Sequence, residues 1–342
     1  MQALLLPRYG HLEIVDMPVP EPGAGEILVR VRACGICGSD VHGLDGSTGR
    51  RIPPLVMGHE AAGEVAAIGA GVSDLALGDR VTFDSTIFCG RCFYCLRGEV
   101  NLCDNREVLG VSPGPYRRHG AFAEFVAVPR RIVYRLPETL SFERAALIEA
   151  VSVAVHGAGL SGVRLGDTAV VVGAGMIGLL VVQAVRRAGA TRVVAVDVDE
   201  ARLSLALQLG ATETVLAGPG AVPRILEVTG GRGADLAIEC VGAEAPIHTA
   251  VSGVRKGGSV VLVGNVSPKI ALPLQEVVSR QIRLQGSCAS SGEYPLVIDL
   301  IATGEIRVDP LISAVAPLNE GPLWFDRLYR REPNLMKVIL QP

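Results

Sequence analysis

The chain has 342 residues, 49% hydrophobic and 20% charged, with a formal net charge of −3. That length suggests about two domains with sizeable cores. The charge balance excludes a general attraction to nucleic acid or to an anionic membrane surface, and the sequence carries no like-charge run or low-complexity tail.

The segment Met1–Pro7 lacks a basic region, a long apolar stretch and a cleavage site, so it reads as a first strand rather than a signal peptide. Up to about residue 150 the chain is rich in Val, Gly and Pro. Short alternating runs, such as Ile27–Val31 and Glu64–Ile68, are separated by turn residues. This is the texture of antiparallel strands. Two segments here carry metal-ligand residue types. One is Ala33-Cys-Gly-Ile-Cys-Gly-Ser-Asp40, with Cys37; the other is Gly58-His-Glu-Ala-Ala-Gly63, with His59 and Glu60. Taken alone, the cysteine reads equally as a small apolar core residue and the histidine as a structural one. Spacing does not unite them.

Four of the 8 cysteines follow the spacing Cys89-x-x-Cys92-x-x-Cys95-x7-Cys103. In a chain without a secretory signal, clustered cysteines point to metal more than to disulfides. Four thiolates close a zinc shell to water, which makes the expected site structural. A redox role fits less well, because thioredoxin-like motifs come as one pair beside a βαβ unit.

From Asp167 the texture changes. Strands are expected at Thr168–Val172, Arg192–Val196, Asp235–Glu239 and Ser259–Val263. Helices are expected at Met176–Ala188, Asp199–Leu209 and Ala245–Val254. This alternation predicts βαβ units and a parallel sheet. The apolar run Leu179–Val185 is broken by Gln183 and is shorter than the roughly 20 residues a membrane span requires. Gly173-Ala-Gly175-Met176-Ile177-Gly178 fits the dinucleotide fingerprint directly after a strand and at the start of a helix. Gly173 permits the tight turn, Gly175 lets a pyrophosphate approach, Gly178 lets helix pack on strand, and the helix N-terminus at Met176 and Ile177 faces the phosphates. Asp197 ends the next strand, where it would accept bonds from ribose hydroxyls and repel a 2′-phosphate, favouring NAD. Arg202 reads either as a residue approaching that phosphate position or as a solvated helix face. Val263, at the end of the fourth strand, is a further candidate for cofactor contact. A second copy of the motif, Gly157-Ala-Gly159-Leu-Ser-Gly162, lacks both the following helix and the acid, and reads as a loop.

Beyond residue 285 the pattern loosens. A short helix is expected at Tyr294–Ala302 and a strand at Leu335–Leu340. The expected layout is a parallel-sheet domain, 152–285, inserted into a β-rich domain made of 1–151 and 286–342.

Gly58-His59-Glu60-Ala-Ala-Gly63-(x5)-Gly69 with Gly78-Asp-Arg-Val81, the segment Cys37-Gly-Ser39-Asp40-Val-His42, the four-cysteine lobe and the fingerprint together resemble the zinc-containing medium-chain dehydrogenase/reductase superfamily over essentially the whole chain. The resemblance implies a GroES-like catalytic domain, a Rossmann cofactor domain, NAD and two zincs per chain. Cys37 and His59 would hold the catalytic zinc. Glu60 would be a ligand or a close carboxylate. Ser39 would relay the substrate proton and His42 would pass it to solvent. Glu149 stands where simple alkanol dehydrogenases of the family carry a zinc-binding cysteine, which resembles the sorbitol (polyol) branch and implies that Glu149 binds the catalytic zinc or holds its water; Ala150 replaces the usual proline. The Arg-Tyr pair of sorbitol dehydrogenases is missing from Gly286–Tyr294, so the substrate need not be sorbitol. Tyr116-Arg117-Arg118-His119 reads either as a solvated loop or as a site for a phosphate or acid group. His156 reads as a packed histidine and Cys34 as core.

The implied protein is a cytoplasmic homo-oligomer, tetramer or dimer, acting on a small alcohol without nucleic-acid or membrane partners. A threonine-type 3-hydroxy amino acid or a sugar-alcohol phosphate is the alternative substrate. A non-enzymatic cofactor-binding protein would be expected to lack a ligand or relay residue, and none is missing.

Overall fold

The computed structural model describes residues 1–111 and 118–342. It divides into two compact units. The first comprises Met1–Glu149 with Tyr294–Pro342 and the second Ala150–Glu293, against the boundaries at 151 and 286 expected from the sequence.

The first unit is built on a 7-stranded sheet. Its path runs Val133–Arg135, Arg80–Phe83, Glu60–Ile68, Glu26–Gly35, Lys337–Gln341, Ile312–Pro317, with Phe125–Pro129 also paired to Glu26–Gly35. All pairs are antiparallel except Ile312–Pro317 with Lys337–Gln341. A 3-stranded sheet joins His11–Asp16, Gln2–Arg8 and Leu55–Val56. The alternating runs seen in the sequence explain this architecture, because inward residues such as Ile27, Val29 and Val31 bury almost completely while Arg30 and Arg32 face outward. The C-terminal strand belongs to this core, with Val338, Ile339 and Leu340 fully buried.

The second unit holds a 6-stranded, all-parallel sheet in the order Glu213–Leu216, Arg192–Asp197, Thr168–Val172, Ala234–Glu239, Val254–Leu262, Arg283–Gly286. This is a doubly wound sheet. Its strand order reverses beside Thr168–Val172, and ligands bind at the carboxyl ends of strands at such a point. The crossover helices include Met176–Ala188, Glu200–Gln208 and Glu244–Gly253. Leu179–Val185 lies wholly buried in the first of these helices. Among the described residues no helix is long and apolar enough to cross a membrane.

The second glycine motif departs from its loop reading. Residues Ile148–Ser161 form one helix, and only Gly162, at φ 67°, ends it. Burial of Ile148, Val151, Ala154 and Ala158 offsets the poor propensity of its glycines. Gly157 has a packing reason, since a Cβ there would come 3.0 Å from Val263 Cγ2. The strands Glu213–Leu216, Arg283–Gly286 and Ile312–Pro317 were not expected. They are short edge strands whose sequences do not alternate strongly.

Candidate active site and cofactor sites

Strand register builds the first site. Gly35 pairs with Glu60 on one side and with Ile339 on the other. The chain after Gly35 runs through Cys37 into the short helix Gly38–Gly43, and the residue before Glu60 is His59. Cys37, His59 and Glu60 therefore converge, with their ligand atoms within 4.8 Å of one another. Glu60 and His59 are buried, while Ser39 and His42 are exposed.

Ser39 donates its hydroxyl to Cys37 Sγ at 3.1 Å. His42 lies one turn further along the same helix face, as i and i+3 positions do. Asp40 is fully buried and its Oδ1 lies 3.4 Å from His59 Nδ1. A carboxylate behind a histidine fixes the ring's orientation and turns its other nitrogen toward the site. Burial disfavours charge on His59, yet the Asp40 carboxylate and the Cys37 sulfur beside it hold its pKa well above the ordinary value. An anionic pocket of this kind, made from a thiol, an imidazole and carboxylates, suits a divalent cation of borderline softness such as zinc.

Glu60 is also tied elsewhere. Lys337 Nζ lies 2.5 Å from Glu60 Oε2, with both side chains 2% exposed, and also donates to Ile36 O at 3.1 Å. Gly35 makes the room, because a Cβ there would overlap Glu60 Oε2 and press on Lys337. Glu149 is not among the three converging residues. It lies close enough to feel His59, Glu60, Asp84 and Lys337, and burial pushes its carboxyl up to about 7.

The four-cysteine lobe brings Cys89, Cys92, Cys95 and Cys103 together within 4.8 Å. The Cys89–Cys95 and Cys92–Cys103 sulfur separations are 4.0 and 3.9 Å. A tetrahedron of sulfurs about 2.3 Å from a central zinc has edges of about 3.8 Å. Backbone N–H groups point at the sulfurs, including Cys89 N to Cys103 at 3.3 Å and Asn105 N to Cys103 at 3.4 Å. The Arg91 and Cys92 amides lower the Cys89 thiol to about 6, whereas desolvation and the Cys92 thiol push Cys95 up to about 12. Four thiolates cannot coexist here without a cation. The donor set therefore fits zinc. All 8 cysteines of the chain are free.

In the second unit the Gly173–Gly178 turn is shaped for a phosphate. Gly173 has φ 93°, a conformation that favours glycine. A Cβ on Gly178 would sit 1.7 Å from Gly173 O, whereas a Cβ on Gly175 would meet nothing within 4 Å. So Gly178 is required for helix–strand contact and Gly175 leaves an open face at the helix N-terminus, where no side chain caps the first-turn amides of Met176 and Ile177. Asp197 is buried at the strand end, and its Oδ2 accepts from Ala174 N at 2.6 Å, which braces the turn. A carboxylate retains further acceptor sites for ribose hydroxyls. Arg202 is half exposed and held near Asp199 at 3.6 Å, part of the cap of its own helix. Val263 N bonds Glu239 O at 2.9 Å, at the carboxyl ends of the strands.

The alcohol dehydrogenase GroES-like domain matches residues 23–138, and the zinc-binding dehydrogenase domain matches 177–303. Sorbitol dehydrogenase of Bacillus subtilis is 32% identical, covering 100% of this chain and 97% of its own. The chain belongs to the zinc-containing medium-chain dehydrogenase/reductase superfamily. D-xylulose reductase A of Aspergillus niger is 36% identical over 93% of this chain and 90% of its own. A solved Sinorhizobium meliloti protein bound to NADP is 36% identical, covers 100% of this chain and 99% of its own, and superimposes with a TM-score of 0.90. As a member of the superfamily's polyol dehydrogenase-like branch, the chain is an oxidoreductase with zinc and a nicotinamide dinucleotide as cofactors.

Three residues at the site escaped the sequence reading: Lys337, Asp40 as a partner of His59, and Arg51. For Lys337 a signal existed, since a lysine opening the apolar run Val338–Leu340 demands a buried partner. His156 is indeed packed, with Nδ1 2.7 Å from Glu293 Oε1. Of the Tyr116–His119 run, Tyr116 and Arg117 lie outside the described residues. Arg118 and His119 lie in a loop: the partly buried Arg118 pairs with Glu26 at 2.6 Å, and the exposed His119 accepts from Val56 N through Nδ1 at 3.0 Å. Cys34 is core, as expected.

Proposed function

We propose that the protein oxidises a polyol or related secondary alcohol to a ketone, reversibly, with NAD. The observation that carries this reading is the convergence of Cys37, His59 and Glu60 beside the exposed Ser39, with Glu149 as the nearby carboxylate. Cys37 and His59 would hold the catalytic zinc, with Glu60 as a ligand or close carboxylate and Glu149 binding the zinc or holding its water, and the four-cysteine lobe would hold the structural one. When bound, zinc supplies Lewis acidity toward the alcohol oxygen and NAD the hydride acceptor. The chain itself positions and moves the proton. Ser39 takes it from the substrate hydroxyl, and His42, exposed one turn away, passes it to solvent. Asp40 keeps His59 oriented. Asp197 favours NAD over NADP by opposing a 2′-phosphate.

The reading extends to a cytoplasmic homotetramer or dimer, and what supports it is the family resemblance.

The test is a panel of polyols, sugar alcohols, their phosphates and threonine, followed by NADH absorbance on protein of measured zinc content. Turnover of a non-phosphorylated secondary alcohol is expected. Turnover of threonine or of a sugar-alcohol phosphate alone would replace the substrate assignment, and no turnover by zinc-replete protein would end it. Asp197→Ser should shift preference toward NADP; unchanged selectivity refutes its role.

A further inference from the structure

Arg51 belongs to no strand or helix, and its side chain is 4% exposed. Its guanidinium reaches two neighbours on the ligand helix. Nε and Nη2 donate to Asp40 Oδ1 at 3.1 and 2.7 Å, and Nη2 also donates to Ser39 Oγ at 2.8 Å. The stem is fitted closely, since a Cβ on Gly43 would fall 2.5 Å from Arg51 Cγ. Arg51, Ser39, Asp40, Cys37 and His59 thus form one continuous polar network.

Asp40 alone would satisfy the demand of a buried cation for a counter-charge. The bond to Ser39 is additional. We propose that Arg51 is a positioning residue for proton transfer at Ser39, an inference that rests on Ser39 being the group that takes the substrate proton. A hydroxyl oxygen has two acceptor positions and one hydrogen. A guanidinium is always protonated, so Arg51 fills one acceptor position permanently. One remains for the alcohol O–H. The hydroxyl hydrogen is turned to the other side, where it now meets Cys37 Sγ. In the transfer, the alcohol O–H bond breaks as a new Oγ–H bond forms, and the original Ser39 proton leaves toward His42 and solvent. Arg51 thereby holds Oγ with one acceptor position free for the alcohol, the hydroxyl hydrogen swings from Cys37 Sγ to the exit side as its proton leaves, and the adjacent cation stabilises negative charge passing through Oγ. Lysine cannot reproduce this, because a single ammonium lacks the planar fork that serves Asp40 and Ser39 together.

The experiment is a double-mutant cycle on the zinc-loaded, full-length enzyme with Arg51→Lys and Ser39→Ala, using the best alcohol of the panel. Arg51→Lys should lower kcat on the order of 10- to 100-fold with KM changed less than about 3-fold. In the Ser39→Ala background the same change should lower kcat by less than about 3-fold, because the group it positions is gone. Zinc content and the rate of zinc release to a chelator should match the parent in both. Equal fold-losses in the two backgrounds, or zinc lost from Arg51→Lys, would overturn the inference in favour of a structural role. A parent enzyme that holds zinc but oxidises no alcohol would instead remove the reading beneath it, and the inference with it. Should Arg51→Lys not fold, Arg51→Gln, which leaves Asp40 in place and keeps a neutral donor on the side chain, enters the same cycle with the same expected non-additivity.

Discussion

Replacing Lys337 by methionine keeps most of the side chain's apolar stem and deletes its charge. Glu60 would then be left 2% exposed without its cation at 2.5 Å. Removing one partner of a buried ion pair costs about 3–5 kcal/mol, chiefly because the remaining charge is desolvated and unpaired. In a domain of 150–250 residues each kcal/mol moves the melting temperature by about 2–4 °C, so a fall of roughly 6–20 °C is expected. The companion variant Lys337→Met/Glu60→Gln removes both charges and should recover most of that loss. Thermal unfolding followed by circular dichroism, on zinc-loaded and on chelator-treated protein, separates the ion pair from any contribution of metal. A single variant within about 1 °C of the parent under both conditions would refute the reasoning, given the expected 2–4 °C per kcal/mol. A double variant as unstable as the single one would assign the effect to packing.

Cys95→Ser should lower zinc from about two to about one per chain and reduce the melting temperature, since a structural zinc contributes folding energy outright. Metal analysis with a melting curve checks it, and an unchanged curve counts against a structural zinc. Asp235 accepts from Arg255 Nε at 2.7 Å and Thr168 N at 2.9 Å. Burial raises its pKa, but these bonds outweigh it and hold the carboxyl below its ordinary 3.8. A folded pKa below the unfolded one contributes stability that is present above about pH 4 and lost as pH falls through the folded value. Asp235→Asn should therefore cost about 1 kcal/mol at pH 7 and little at pH 2–3 by urea unfolding. An equal deficit at both pH values would show that the charge is not responsible.

Local patterns that require particular residues were readable in one dimension. The fingerprint glycines are demanded by steric limits that act within a few residues, as the Gly178 contact with Gly173 O shows. The helix Tyr294–Ala302 and the strand Thr168–Val172 follow from apolar periodicity and turn signals, and both occur over those residues. The segment Gly157–Gly162 reads as a loop because its glycines weaken the local signal, yet most of it ends the helix Ile148–Ser161, and the burial that compensates for the glycines depends on residues distant in sequence.

The two domain types, the four-sulfur lobe and the dinucleotide turn are legible in residue order alone, because each is set by short-range spacing. The first site was different. Cys37 and His59 had no reason in spacing to meet, and only family resemblance joined them. What brings them together is the pairing of Gly35 with Glu60, and what fixes their surroundings are Lys337 and Arg51, far from either ligand or outside any element. Tertiary structure decided those partners because a buried charge is satisfied by whichever opposite charge the fold places beside it, and no local pattern of residues encodes that choice.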